Sequence, residues 1–191
     1  MSEKKPDKRV LKTKRALCEG LAELLTDKEL RKITVQEITD KADVNRVTFY
    51  KHYLDVYDLY EKLENEVIID LGILVLDAEK GPTEDYNSSL IDYIDSNRKV
   101  FSMIFSPYNT GQLRDKVEKL FAGLYLQIYM EKFGIKKKTK EVEYVSYYHS
   151  SGCIAIIEKW VRSGYDGSKE SIIKIISDMD KNFEKNGDYS K

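Results

Sequence analysis

Proline and glycine are scarce, with three and ten residues in a chain of 191. So few chain-turning residues argue against a fold of many short strands and favour long helices. Cysteine is rarer still. Cys18 and Cys153 stand far apart, which argues against a disulfide framework and for two reduced thiols. Only His52 and His149 represent histidine, and no Cys-x-x-Cys pair occurs. The usual soft-metal ligand sets are therefore missing, and no metal or other cofactor is expected. Long hydrophobic runs are lacking too. The longest, Val67 to Leu76, carries Asp70 in its middle, whereas about 20 uninterrupted apolar residues cross a bilayer. The opening MSEKKPDKRVLKTKR has no apolar stretch. A secretory signal and a membrane partner are thus not expected, and the expectation is a cytoplasmic protein. No Gly-rich phosphate loop, nucleophile elbow or His-Glu-x-x-His string occurs, which points away from an enzyme.

What is present is a hydrophobic share of 41% beside 34% charged residues, the balance of a globular chain. The formal net charge of −1 hides a division. Residues 1 to 55 hold 13 Lys/Arg against 10 Asp/Glu, while the remainder holds 19 against 23. The excess is concentrated at the start, where Lys4, Lys5, Lys8, Arg9, Lys12, Lys14 and Arg15 face only Glu3 and Asp7. That is the footprint of a phosphate-binding arm or of a solvated chain end.

Periodicity predicts helices almost throughout. Leu17, Leu21, Leu24 and Leu25 mark one face of a first helix from about Asp7 to Leu25. Thr34 and Glu37 have the spacing of a capping box and start a second helix at Val35, which Asp43 ends. Asn45 offers a new cap for a third helix carrying Val47 to Tyr53. A fourth runs from about Val56 through Leu76, ended by Gly81-Pro82. Further helices are expected near 84–96, 98–105 and 110–133, then at Thr139–Ser163 and Ser168–Asn186. In the penultimate one Val145, Tyr148, Gly152, Ile156 and Trp160 share a face that Ile154, Ile157 and Val161 widen; in the last, Ile172, Ile175, Ile176, Met179 and Phe183 do. No segment alternates with period two for long enough to compete, so the fold class is all-α.

Two short helices joined by about three residues and preceded by a longer one have the spacing of a helix-turn-helix. The ordered set Thr34-Val35, Ile38, Ala42, Val44, Thr48-Phe49-Tyr50, His52-Tyr53 and Leu59 resembles the DNA-binding segment of the TetR family of bacterial transcription regulators. One departure is Asp43, in the turn where most family members place glycine. Aspartate tolerates a left-handed backbone better than most non-glycine residues.

Ile38, Ala42, Val44 and Phe49 are expected to hold the third helix against the first. Arg46, Val47 and Lys51 are expected to point outward and read bases, since arginine grips guanine O6 and N7 and valine meets a thymine methyl. The resemblance implies that Thr48, Tyr50 and His52 donate to phosphates and that Gln36 reaches a base edge or phosphate. Lys8, Lys12, Arg15 and Thr34 are further phosphate candidates. Tyr53 is read as packing and left out of the site. The division expected is a DNA-binding domain over 1–66 and an effector and dimerisation domain over 67–191.

For that second region the resemblance implies a homodimer matched to a palindromic operator, a repressor released by an effector. Ser150-Ser151-Gly152 permits close backbone approach, and Trp160-Val161-Arg162-Ser163-Gly164 resembles the Trp-x-x-x-Gly ending of the DhaS-like branch. Fourteen tyrosines are many for this length. Tyr93, Tyr125, Tyr129 and Tyr148 are candidates for a small-molecule pocket. The alternative is a coactivator or adaptor whose second region binds a partner protein.

Overall fold

A computed structural model describes residues 8–78, 83–109 and 112–186. The all-α expectation is borne out. The helices are α1 (Lys8–Leu24), α2 (Val35–Ala42), α3 (Arg46–Tyr50), α4 (Val56–Ala78), α5 (Thr83–Ser96), α6 (Arg98–Ile104), α7 (Gln112–Lys132), α8 (Lys140–Arg162) and α9 (Lys169–Asn186). No strand occurs among the described residues. Lys4, Lys5, Asp7 and the Gly81-Pro82 stop signal lie outside them. A 3₁₀ turn at Leu30–Lys32 had no forewarning in the spacing. The helix α3 ends at Tyr50, short of the expected Tyr53, because the chain tightens: Lys51 N–H donates to the Thr48 carbonyl and His52 N–H to that of Phe49.

The chain divides into two compact units, Met1–Val67 with Lys99–Thr110, and Ile68–Arg98 with Gly111–Lys191. Within the first, α1 packs on α2 and α2 on α3. Leu17, Leu21, Leu25, Ile38, Phe49 and Leu59 are the largest of its fully buried side chains from α1 to α4. Each stabilises the unit by about 1.5–3 kcal/mol. Gly20 lies where α1 approaches α2 closely, since a Cβ there would stand 3.2 Å from the Ile38 carbonyl oxygen. The Lys99–Thr110 segment belongs to this unit although the expected division at residue 66 assigns it to the second region. Its side chains explain why: Val100, Phe101, Met103, Ile104 and Phe105 are buried, and Lys99 pairs with Glu19 at 3.8 Å and Glu23 at 3.2 Å.

In the second unit α7 lies along α8, α5 along α9, and α8 meets α9. Its core includes Leu90, Ile91, Ile94, Leu113, Val117, Ile154, Ile157, Trp160 and Ile176. The buried face of α8 is Val142, Ser146, His149, Ser150, Ile154, Ile157, Trp160 and Val161. That corrects the expected stripe through Tyr148 and Gly152, both of which are exposed in the single chain.

Candidate nucleic-acid interface and cavity

The α2–turn–α3 geometry follows from its capping residues. Thr34 Oγ1 accepts from Glu37 N–H at 3.3 Å, and Glu37 Oε2 accepts the Thr34 N–H at 2.9 Å, closing the capping box. Lys28 pairs with the same carboxylate from outside the helix. Together these partners, Lys28 first, hold the Glu37 carboxyl down to about 2. At the other end Asp43 takes φ 52° and ψ 46°, the left-handed conformation, and terminates α2. Asn45 then caps α3 by accepting the Val47 N–H at 2.8 Å on its side chain.

These three caps fix which face of α3 looks outward. Phe49, with no exposed surface, anchors the helix and meets the Tyr53 ring at a centroid distance of 5.6 Å. Tyr53 is buried as well, with its hydroxyl 4.0 Å from the Cys18 sulfur; burial pushes that thiol up to about 11. On the opposite side Val47 is 67% exposed and Tyr50 53% exposed, between exposed Arg46 and Lys51. Thr48 and His52 are half-buried at the margins. Gln36 is exposed on α2 with its amide on Asp40 Oδ1 at 2.5 Å. The Thr34 hydroxyl is occupied by the capping box, donating to Glu37 Oε2 at 2.9 Å.

Lys8 and Lys12 are exposed one turn apart on α1, and Arg15, also exposed, pairs with Glu19 at 2.8 Å. The first turn of α1 holds no acidic residue. Lysine and arginine heads of this kind suit phosphate oxygens, while the short α3 with an arginine and a valine is dimensioned for a major groove.

The second unit contains a cavity of about 70 Å³. Tyr86, Leu90, Phe121, Tyr125, Tyr129 and Ile157 form part of its apolar lining, and Asn87, His149, Cys153 and Asp180 contribute polar atoms. Of the four tyrosines expected there, Tyr125 and Tyr129 line it. Tyr148 is 75% exposed and does not, because its neighbour His149 takes the inward position on α8. Tyr93 is also outside it, donating its hydroxyl to Asp70 Oδ2 at 3.0 Å. The polar wall escaped a count of tyrosines; its one linear signal is the four-residue step from His149 to Cys153 on a single helix.

Comparison with known proteins gives this arrangement its context. The family described as the transcriptional regulator C-terminal region, of TetR type, matches residues 83–182, just over half of the chain. A stretch of 62 residues is 36% identical to the uncharacterized HTH-type transcriptional regulator YxbF of Bacillus subtilis (strain 168). That stretch is 32% of this chain and spans only 16% of YxbF. Among solved structures, a TerR/AcrR-family transcriptional regulator from Aquifex aeolicus VF5 superposes with a TM-score of 0.66 at 14% identity, covering 90% of this chain and 99% of that one. A TetR transcriptional regulator from Streptococcus agalactiae 2603V gives 0.58 at 22%, covering 91% and 96%. The dihydroxyacetone kinase operon activator DhaS gives 0.58 at 17%, covering 87% and 93%. The solved structures share the fold, and the match over residues 83–182 carries the family assignment: the chain belongs to the TetR family of transcription regulators.

Proposed function

We propose that this regulator is a homodimeric repressor that reads a palindromic operator with α3 and is released by an effector bound in its second unit. The observation that carries the reading is the two-sided character of α3, with Phe49 locked in the core while Arg46, Val47, Tyr50 and Lys51 face solvent. In this reading Arg46, Val47 and Lys51 contact bases; Gln36, Thr48, Tyr50 and His52 fix the register on phosphates and base edges. Lys8, Lys12, Arg15 and Thr34 extend the backbone contacts. Residues 1–66 serve as the reading head, with Lys99–Thr110 as part of its compact unit, and the rest of 67–191 as the effector and dimerisation body.

Dimerisation is supported by the outer faces of the last two helices. Tyr144 and Tyr148 on α8, and Ile175 and Met179 on α9, are each one turn apart and exposed in the single chain. Gly152 lies on the same exposed part of α8, and a Cβ there would meet nothing within 4 Å. Two such helices from each of two copies suit a four-helix interface, whose two-fold axis matches a palindrome. An effector that favours one arrangement of the body shifts the spacing of the heads through α4, which spans residues of both units. Selection of bound duplexes from a randomised pool tests the reading: recovery of an inverted repeat supports it, and recovery of no shared sequence contradicts it. Sedimentation of the protein alone should give a dimer, and the Tyr148→Glu, Met179→Glu variant a monomer.

The adaptor alternative has its own support. The cavity, at about 70 Å³, is well below the roughly 300–1,000 Å³ of drug-sized ligand sites, and Tyr147 is exposed beside Tyr148. A partner protein on that face replaces the small molecule in this reading, and the neighbouring fold of DhaS is that of an operon activator. Dimer formation with Tyr147 still reactive to surface labelling supports the adaptor; complete protection of Tyr147 in the dimer contradicts it.

A further inference from the structure

The polar wall of the cavity brings together three different donor chemistries. His149 and Cys153 are one turn apart on α8, with the sulfur 3.8 Å from Nδ1. Asp180 comes from α9, its Oδ1 2.7 Å from His149 Nε2. One nitrogen, one sulfur and one oxygen from these side chains all lie within 4.8 Å of one another. Donors around a single tetrahedral zinc, at about 2.0–2.3 Å each, are roughly 3.3–3.7 Å apart, so with one imidazole nitrogen as the ligand the three donors close by about 1 Å from their widest 4.8 Å separation. We propose that His149, Cys153 and Asp180 form a binding site for a borderline-soft divalent transition ion of the zinc class, open at its fourth position to the cavity.

Four further observations fit this assignment. Asp180 is buried, and its Oδ2 accepts the Asn87 amide at 2.7 Å, which fixes the carboxylate and leaves Oδ1 on the side of His149. Among the described residues Oδ1 has the 2.7 Å contact with His149 Nε2 and no aligned hydrogen bond. A buried carboxylate is costly unless its charge is matched, and a divalent ion matches it together with a thiolate. The Tyr86 hydroxyl, also in the lining, is buried with no hydrogen-bond partner among the described residues, so a water on the ion has an acceptor or donor to meet. His149 is held flat against the Tyr125 ring, with centroids 3.7 Å apart and planes at 12°, which fixes the imidazole orientation. Finally, about 70 Å³ is under half the 150 Å³ of an apolar cavity that holds benzene, and suits an ion with its water.

The Cys153 sulfur binds as the thiolate, its proton leaving to solvent as the sulfur–metal bond forms. The ion ties α8 to α9. In the sequence, the lack of Cys-x-x-Cys and the few histidines speak against metal ligands; in the fold the third ligand arrives from another helix, which linear spacing does not reveal.

Cobalt(II) is the probe, titrated into the full-length chain stripped of metal and followed by absorbance. The expected result is saturation at one equivalent per chain, with an intense near-ultraviolet sulfur-to-cobalt band and visible bands of tetrahedral strength. Cys153→Ser removes the near-ultraviolet band, and His149→Gln weakens binding by more than about 100-fold, since even outer partners of a metal ligand are worth roughly 10–100-fold. Cys18→Ser, whose thiol lies in the other unit, keeps the band. A titration of the wild type without that band overturns the site, as does an unchanged band in Cys153→Ser. Zinc addition should also raise the melting temperature, reversed by chelator, and no shift with zinc would count against it. None of these readouts involves DNA, so the site stands or falls apart from the repressor reading.

Discussion

Val44 donates its backbone N–H to the carbonyl of Thr39 at 3.0 Å, reaching across a residue that holds the left-handed conformation, Asp43. This hydrogen bond closes the C-terminal end of α2, and its conformational cost sits in Asp43. A left-handed backbone costs an ordinary L-residue about 1–2 kcal/mol, less for aspartate and nothing for glycine. Asp43→Gly should therefore leave the fold unchanged and raise stability by about 0.5–1 kcal/mol, while Asp43→Val should lower it by about 1–2 kcal/mol. Urea unfolding monitored by circular dichroism checks both. Equal midpoints for the three proteins would contradict a conformational cost at this turn.

Gly20 is the second position where backbone packing limits the side chain. A Cβ there would stand 3.2 Å from the Ile38 carbonyl oxygen and 3.6 Å from the Ala42 Cβ. Gly20→Val adds branches to an approach that is already tight, so α2 must move away from α1. The expected loss is about 1–3 kcal/mol of stability, together with weaker DNA binding. Thermal melts and a binding titration read the two effects separately.

Acid should loosen the start of α2. Glu37 is depressed from an ordinary 4.5 to about 2, first by Lys28 and then by Thr34. A depressed carboxyl contributes stability that is fully present above about 4.5 and is lost as pH falls toward 2. Glu37→Gln should be less stable than wild type at neutral pH, with the difference closing across that window. Melting temperatures at a series of pH values test it, and parallel curves down to about pH 2 would show that the ion pair and cap contribute nothing.

The basic arm makes a prediction about salt. Removing one lysine that neutralises a phosphate lowers the slope of log affinity against log salt by roughly 0.9 on duplex DNA. The Lys8→Ala, Lys12→Ala double variant should therefore show a slope shallower by close to two units while keeping its preference for one sequence. An unchanged slope removes the arm from the interface.

Much of this architecture is legible in the sequence because local rules and the fold agree. Thr34 with Glu37, and Asn45 before α3, announce their helix starts through hydrogen bonds that span three residues or fewer. Phe49 and Ile38 are legible for the same reason, as apolar positions at helical spacing. The rest depends on partners distant in the chain. Lys99–Thr110 joins the first unit through buried side chains and Glu19 and Glu23, about eighty residues earlier. On α8, Tyr148 and His149 offer similar amphipathic rings at adjacent positions, and only the packing of α7 and α9 decides that His149 is the one turned inward. Asp180 reaches the same wall from α9, a meeting no spacing within one helix encodes.

The central claim, that α3 reads base sequence, is tested most directly by mobility shift at fixed salt, with wild type and Arg46→Ala against a selected operator and a scrambled duplex. The expected result is a dimer-sized complex on the operator alone, weakened in Arg46→Ala by about 1–3 kcal/mol with little change on the scrambled duplex. Equal affinity of the wild type for both duplexes, or an Arg46→Ala variant that keeps full operator preference, would contradict it.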